Sequence, residues 1–175
     1  MPVYSEISNT ELSKELLEQL RQGAFLVVKA CEKVNIMTIS CGSLGFTWMR
    51  PTLTVMIRYS RYTHALMENA DRFAVCFPLK GQMKTELNIC GTVSGRDIDK
   101  AKECKLLLKE GCLNGTMIVD DCDLHLECKV IYKYQVDKNG LDKEISESIY
   151  RDADYHMFYI GEIVRAYRKE CNVLL

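Results

Sequence analysis

Apolar and polar residues alternate with a period of two along much of the chain, which is the pattern of strands that bury one face. We predict six strands, which are Ala24–Ala30, Asn35–Cys41, Leu53–Ser60, Phe73–Phe77, Asp123–Asp137 and Tyr155–Tyr167. Gly161 lies inside the last of them and indicates a bulge or the close approach of a neighbour. Pro78 ends the predicted strand Phe73–Phe77.

Helical spacing of apolar residues appears between these strands. Thr10–Gln22 has leucines at helical intervals, with Gly23 as a stop signal. The other predicted helices are His64–Asn69, Met83–Ile89 closed by Gly91, Arg96–Leu108 with Asp97 and Asp99 in its first turn, and Asp142–Tyr150. Strands in short pieces with helices between them predict a mainly β (α+β) domain, an antiparallel closed barrel with helices packed outside. We expect one domain over residues 1–175.

The most informative segment runs from Asn35 to His64. In its second strand, period two places Arg58 and Ser60 on the same face; Arg61 follows at once, and Thr63 is positioned to cap the next helix. A guanidinium fork, hydroxyls and free helix amides are groups that bind phosphate oxygens. The cluster therefore favours an anion site over a surface arginine pair with an ordinary N-cap.

The first strand of this segment is two-sided as well. Asn35, Met37, Ile39 and Cys41 alternate with Ile36, Thr38 and Ser40, so that one face is largely apolar and the other carries small hydroxyls. Gly42 and Gly45 follow, and they either allow a flat ligand to approach the backbone or make a loop between the strands.

Composition excludes several functional classes. The chain has 175 residues, 47% of them hydrophobic, and a net charge of −1, so that no overall field attracts nucleic acid or an anionic membrane. No apolar run reaches the length of a membrane span, and Met-Pro-Val-Tyr-Ser-Glu at the start lacks the features of a signal peptide. We expect a cytoplasmic protein without membrane or nucleic-acid partners.

Nine cysteines are present, and no two have the spacing of zinc ribbons, thioredoxin-like motifs or iron–sulfur sites. We expect no metal site and mostly reduced thiols, since the odd count argues against a full disulfide framework. Cys76 and Cys128 lie in apolar strands, where a thiol packs as a small core residue. Cys41 draws interest because it ends the strand that leads into the glycines.

Several pieces of the chain, in this order, resemble the FMN-binding split-barrel family, and within it the flavoredoxin and flavin-reductase-like group. These pieces are Asn35–Ser40, Arg50-Pro51, Arg58–Thr63, Asn88–Lys100, Leu124–Lys129 and Tyr155–Val164. The resemblance implies a six-stranded Greek-key barrel, a homodimer, and one FMN per subunit near the dimer interface.

The resemblance also assigns candidate site residues. The stretch Met37–Ser40, with Asn35, resembles the strand whose edge binds the isoalloxazine ring, and Arg58–Thr63 resembles the phosphate grip. Ser94-Gly95-Arg96 resembles a second segment that reaches the phosphate or ribityl chain; as an alternative, it is a turn that caps the next helix. The candidate cofactor-binding set is Asn35, Met37, Thr38, Ser40, Cys41, Gly42, Trp48, Arg58, Ser60, Arg61, Tyr62, Thr63, Ser94, Gly95 and Arg96.

Three residues carry more specific expectations. His156 resembles a histidine that faces the open side of the flavin, although a lone histidine in an apolar strand is more often a packing residue. Cys41 stands where relatives often have tryptophan or alanine, and Trp48 either covers the ring in its place or plugs the barrel mouth or the dimer seam. Since flavin carries out hydride transfer itself, we expect no catalytic nucleophile or general base.

Three functions remain open at this stage. The first is an FMN-dependent oxidoreductase that passes electrons from NAD(P)H through FMN to flavin, ferric or protein acceptors. The second is a flavoredoxin-like electron carrier that exchanges electrons with redox proteins and lacks a nicotinamide site. The third is a module that stores flavin or another planar anion.

Overall fold

The computed structural model describes residues 4–7 and 13–169. Its strands, in chain order, are β1 Tyr4–Glu6, β2 Ala24–Ala30, β3 Lys33–Ile39, β4 Gly42–Thr47, β5 Arg50–Arg58, β6 Arg72–Phe77, β7 Leu108–Glu110, β8 Met117–Val119, β9 Leu124–Gln135 and β10 His156–Lys169. Its helices are α1 Ser13–Leu20, α2 Tyr62–Met67, α3 Lys84–Thr92, α4 Lys100–Glu103 and α5 Lys143–Ile149, with a short 3-10 turn at Lys138–Gly140.

Eight strands form one antiparallel sheet in the order β3-β2-β6-β9-β10-β5-β4, with β1 added along β10. β7 and β8 form a separate hairpin. The mainly β antiparallel fold with peripheral helices is confirmed. Its six predicted strands are all present, and β1 and β4 extend the sheet to eight. Within the described part of the chain, no strand pairs with the outer edge of β3.

The buried hydrophobic residues of the described chain form two clusters, and the larger of them takes side chains from most strands of this sheet. Leu26, Val55, Phe73, Leu126 and Tyr159, from five different strands, are almost completely buried in it. β3, at one end of the strand order, and β5, second from the other end, both contribute side chains to this larger cluster. The sheet is therefore curved, and the free edge of β3 faces β5 and β10 across a cleft.

Gly161 lies where the sheet bends, as its position in the sequence predicts. The register between β9 and β10 shifts at Ile160/Gly161, and a Cβ atom on Gly161 would lie 2.5 Å from Phe73 Cζ and 2.7 Å from Cys128 Cβ. Both expected features, a bulge and a close approach, are present.

Several predicted elements are wrong in detail. The segment Arg96–Leu108 is a turn followed by the one-turn helix α4, whose N-cap is Asp99; Lys105 then has a positive φ of 53° and the chain leaves the helix. Gly42 and Gly45 do not form a loop, because β4 runs through both and pairs with β5. Gly91 lies inside α3 and does not close it. The first residues of the predicted helix Thr10–Gln22 lie outside the described residues.

The described cysteines are free thiols, and Cys76 and Cys128 are completely buried as predicted. Burial raises the pKa of the Cys76 thiol to about 12, so this thiol is inert at neutral pH. Cys171 lies outside the described residues. Among the described helices, none has the length and apolar character needed to cross a membrane.

Candidate functional site

Two adjoining pockets occupy the cleft beside the free edge of β3. We call the first the strand pocket; it has a volume of about 180 Å³ and is lined by Met37, Thr38, Ile39, Ser40, Cys41, Met56, Arg58, Arg61 and His156. We call the second the turn pocket; it has a volume of about 170 Å³ and is lined by Asn35, Met37, Ser60, Arg61, Tyr62, Thr63, Thr92, Val93, Ser94, Gly95, Arg96 and Lys100. Because Met37 and Arg61 line both, the two pockets are neighbours.

The predicted site residues line these pockets, except Gly42 and Trp48. Gly42 has a packing role, since a Cβ atom there would lie 2.6 Å from the carbonyl oxygen of Thr54 on β5. Trp48 lies in the tight turn between β4 and β5, 62% exposed, with its ring edge-on to Tyr132 at 5.8 Å. In this single chain, neither residue contacts the cleft.

The free edge of β3 offers backbone groups to the cleft. Lys100 Nζ donates to the carbonyl oxygen of Ile36, so the peptide groups of Ile36 point away from β2 and toward this edge. Period two then places the peptide groups of Thr38 at the same edge, inside the strand pocket. A planar heterocycle with donors and acceptors along its rim is the kind of ligand that such an edge binds.

The turn pocket is cationic. Arg61 Nη2 donates to the carbonyl oxygen of Gly91 at 2.6 Å, and Arg96 Nη1 donates to the carbonyl oxygen of Ser60 at 3.2 Å. The Arg96 guanidinium also lies over the Tyr62 ring, 5.2 Å from its centroid. Lys100 adds a third cation, and the residues that line this pocket include no carboxylate. An anion placed here meets three positive groups.

Lys100 is a site residue that sequence reasoning missed, although it ends the Asn88–Lys100 piece. It is only 5% exposed, and its ammonium donates to the carbonyl oxygens of Ile36 and Cys90 at 2.9 and 2.8 Å. Burial lowers its pKa below the ordinary value, and the nearby Arg61 charge lowers it further. Lys100 thereby joins β3 to α3 and fixes a cation at the back of the turn pocket.

Asn35, Thr63 and Gly95 form the wall of the turn pocket. The Asn35 side chain, buried, donates from Nδ2 to Thr63 Oγ1 at 2.8 Å. The prediction that Thr63 caps its helix is therefore wrong: α2 begins at Tyr62 with Arg61 as N-cap, and the Thr63 hydroxyl is used by Asn35. A Cβ atom on Gly95 would lie 1.9 Å from Asn35 Oδ1, so that only glycine fits at this turn.

The alternation predicted that Arg58 and Ser60 lie on one face of a strand, and this prediction is wrong. β5 ends at Arg58, and the chain turns there, with Arg61 N donating to Arg58 O. Arg58 donates from Nη1 and Nη2 to the carbonyl oxygens of Asp154 and Ile149, at 2.8 and 2.9 Å. The structure places Arg58 in the strand pocket, where Arg61 is its neighbour, and Arg58 does not line the turn pocket.

Ser60 is engaged by a carboxylate. Its backbone N and its Oγ donate to the two oxygens of Asp154, at 3.1 and 2.6 Å. Together with Arg58, it therefore anchors the loop between α5 and β10. Sequence reasoning missed Asp154, because a loop acid carries no periodic signal.

His156 closes the strand pocket at the start of β10. Its Nδ1 is 2.8 Å from the hydroxyl oxygen of Tyr150. Burial lowers the pKa of His156, and the Arg58 charge lowers it further, while Asp154 acts in the opposite direction. The imidazole is neutral at pH 7. Cys41, exposed, lines the same pocket; it was predicted to end the strand, but β3 ends at Ile39 and Cys41 lies in the link to β4.

Comparison with known proteins identifies the class. Residues 19–175 match the model of the flavin reductase like domain, so the chain belongs to this flavoprotein family. It is 30% identical to an uncharacterized protein of Archaeoglobus fulgidus. The 150 aligned residues cover 86% of this chain and 73% of that relative.

Solved structures agree with the family. The flavoredoxin from Methanosarcina acetivorans is 26% identical, with a TM-score of 0.67 over 85% of this chain and 68% of that chain. An FMN-binding domain of a flavin reductases-like enzyme from Shewanella baltica has a TM-score of 0.70 over 96% of this chain and 78% of that chain; at 17% identity it supports the fold.

The contacts of Lys100 predict its contribution to stability. In Lys100→Met, two charge-assisted hydrogen bonds are lost and two carbonyl groups remain unpaired, so we expect the free energy of unfolding to fall by about 1.5–3 kcal/mol. Lys102→Met is the matched control on the same helix, because Lys102 is exposed and pairs with Asp99 at the surface; its effect should stay within about 0.5 kcal/mol. Urea unfolding measures both. Equal losses would show that the buried hydrogen bonds of Lys100 contribute nothing.

Proposed function

We propose that the protein is an FMN-dependent oxidoreductase of the flavin reductase type, which passes electrons from NAD(P)H through bound FMN to flavin, ferric or protein acceptors. One observation carries this proposal: in a flavin-reductase-like domain, a pocket bordered by a free strand edge adjoins a pocket lined by three cations and no carboxylate. Such a pair matches a planar ring attached to a phosphate monoester.

Each pocket receives one end of FMN in this proposal. The ring lies along the edge of β3, between Met37 and Cys41 on one side and Arg58 and His156 on the other. The phosphate lies in the turn pocket, where Arg61, Arg96 and Lys100 supply charge and the Ser94-Gly95-Arg96 turn supplies hydrogen-bond donors. Asn35, Thr63 and Tyr62 hold the walls.

When bound, FMN supplies the hydride and electron transfer chemistry. The chain binds the cofactor, orients it and sets its surroundings. Arg58 places a positive charge beside the ring end, and the neutral His156 offers a hydrogen bond without a second charge. Cys41 lines the strand pocket, and its thiol tunes the environment of the ring without covalent chemistry.

A second candidate is a flavoredoxin-like electron-transfer protein without its own nicotinamide site. The 26% identity to the flavoredoxin from Methanosarcina acetivorans favours it. The same pockets would hold FMN in this case, but electrons would come from a redox protein.

Anaerobic reduction distinguishes the two functions. With the protein loaded with FMN, we expect NADH or NADPH to bleach the visible flavin absorbance in a stopped-flow experiment, faster than it reduces free FMN at the same concentration. Dithionite provides the fully reduced reference. Bound FMN that dithionite reduces but neither nicotinamide reduces would contradict the enzyme and favour the electron carrier.

Substitution of the two arginines locates the two ends of the ligand. Arg61→Ala should weaken FMN by roughly ten- to a hundredfold while affecting riboflavin little, because a charge-assisted contact to phosphate contributes on the order of 1.5–3 kcal/mol. Arg58→Ala is the matched variant; it should weaken both ligands by a similar factor, since its side chain lines the strand pocket. Fluorescence titration of each variant with both flavins gives the ratios. A selective loss of FMN in Arg58→Ala, with none in Arg61→Ala, would reverse the assignment.

We also propose that the protein is a homodimer, with the site near the interface. Trp48, Tyr132, Tyr134 and Phe158 form a continuous series of ring contacts with centroid distances of 5.8, 5.7 and 4.8 Å, and the first three are substantially exposed. Met49, beside Trp48, is 91% exposed. A contiguous exposed apolar surface of this kind supports contact with a second copy of the chain.

Sedimentation of apo- and holoprotein at matched concentrations tests the dimer. If FMN binds at a shared interface, its binding stabilises the assembly by mass action, and the dimer should dissociate at lower concentrations with FMN than without it. Trp48→Glu should weaken the dimer. The exposed Leu107→Glu, remote in sequence from the aromatic series, is the control and should leave it unchanged. A monomeric holoprotein would contradict this proposal.

A further inference from the structure

Tyr150 is held in one position beside the strand pocket. It lies at the C-terminal end of α5, is almost fully buried, and stacks on Tyr155 with ring centroids 5.0 Å apart. The Arg58 guanidinium lies 5.5 Å from its ring centroid. Its hydroxyl contacts His156 Nδ1 at 2.8 Å. None of these contacts was expected from the sequence, and the binding scheme above does not use the hydroxyl.

The protonation states of this pair follow from their surroundings. Burial raises the pKa of the Tyr150 phenol, so the phenol keeps its proton at neutral pH. His156 is neutral there, because burial and Arg58 lower its pKa more than Asp154 raises it. A neutral imidazole carries one N–H, and the partner of one ring nitrogen decides which nitrogen that is.

The phenol is the natural donor in this hydrogen bond. When Tyr150 donates its proton to Nδ1, the imidazole proton lies on Nε2. Within the described residues, Nε2 has no hydrogen-bond partner of its own, and His156 lines the strand pocket. The nitrogen left for a ligand is therefore a donor.

We propose that Tyr150 is a positioning residue that fixes His156 in its neutral Nε2–H tautomer, so that the strand pocket presents a hydrogen-bond donor to its ligand. The part of this proposal that concerns ligand binding rests on the proposed function, whereas the tautomer is a property of the protein alone. An acceptor atom on the rim of the bound ring is the partner that this donor selects. Asp154 and Arg58, the charged groups that face His156, set its charge, and Tyr150 sets which nitrogen carries the proton.

Nitrogen-15 NMR of the histidine side chains of the flavin-free protein at neutral pH tests the tautomer. The chain has three histidines, and His156→Gln identifies the signals of His156. We expect the wild-type protein to show a protonated Nε2 and an unprotonated Nδ1. An Nδ1–H tautomer or an imidazolium in the wild-type spectrum would overturn the proposal without any variant.

Two matched variants test the part played by the hydroxyl. Tyr150→Phe keeps the ring that stacks on Tyr155 but removes the donor, and we expect the two nitrogens of His156 to shift toward a mixture of tautomers. Tyr155→Phe is the control. It removes a hydroxyl from the other ring of the stacked pair, and the hydrogen bond to His156 comes from Tyr150. This variant should leave the nitrogen shifts of His156 unchanged. Unchanged shifts in Tyr150→Phe would overturn the proposal.

Binding tests the consequence for the ligand. Loss of an oriented donor at the ring end should weaken riboflavin and FMN by a similar factor, roughly three- to tenfold, in Tyr150→Phe. A change of tautomer with unchanged affinity for both flavins would overturn the ligand role. If no flavin binds even to the wild-type protein, the proposed function fails while the NMR result still decides the tautomer.

Discussion

The unpaired outer edge of β3 is the constraint on which the arrangement of this protein depends. A free strand edge has backbone groups that need partners, and proteins cover such an edge or use it. Here β3 and β5 contribute side chains to the same hydrophobic cluster, so that this edge faces β5 and β10 without pairing with either in the described chain. One carbonyl on the edge, that of Ile36, is satisfied by Lys100, and the neighbouring groups border the strand pocket.

The cations beside this edge are positioned by the fold itself. Lys100 and Arg61 donate to consecutive carbonyl groups near the end of α3, those of Cys90 and Gly91, so the same contacts that attach α3 to the sheet set the charges of the turn pocket. Arg96 is held by Ser60 and by the Tyr62 ring. Charged side chains whose positions are fixed before a ligand arrives lose little conformational freedom when the ligand binds. In the proposed function, stability and anion recognition therefore depend on the same three side chains, Arg61, Arg96 and Lys100.

The sequence could predict the strands and most of the residues around the cleft. Strand alternation identifies which residues enter the core, and the residues of the cleft come from short contiguous pieces such as Asn35–Ser40 and Arg58–Thr63. It could not place Arg58, because alternation assumes a strand that continues to Ser60, whereas the chain turns at Arg58. The failure of Arg96–Leu108 as a helix has a similar cause: the positive φ of Lys105 and the pairing of β7 with β8 are tertiary effects.

The interactions that sequence reasoning missed are those between side chains distant along the chain. The sequence pattern indicates that Lys100 is a surface lysine of a charged helix, and only the packing of α4 against β3 and α3 buries it. Tyr150 and His156 are only six residues apart, but their contact requires the loop between α5 and β10 to turn back, and Arg58, which is distant along the chain, holds this loop through the carbonyl oxygens of Ile149 and Asp154. Such contacts have no period that a single sequence reveals.

Titration of the flavin-free protein with FMN, followed by the visible absorption spectrum, tests the central claim most directly. We expect saturation at one FMN per chain, a flavin spectrum altered by the protein, and binding that is weaker for riboflavin. Inorganic phosphate should compete with FMN more strongly than with riboflavin. Absence of saturable FMN binding, or equal affinity for FMN and riboflavin, would contradict the account of a ring bound at the β3 edge and a phosphate bound by Arg61, Arg96 and Lys100.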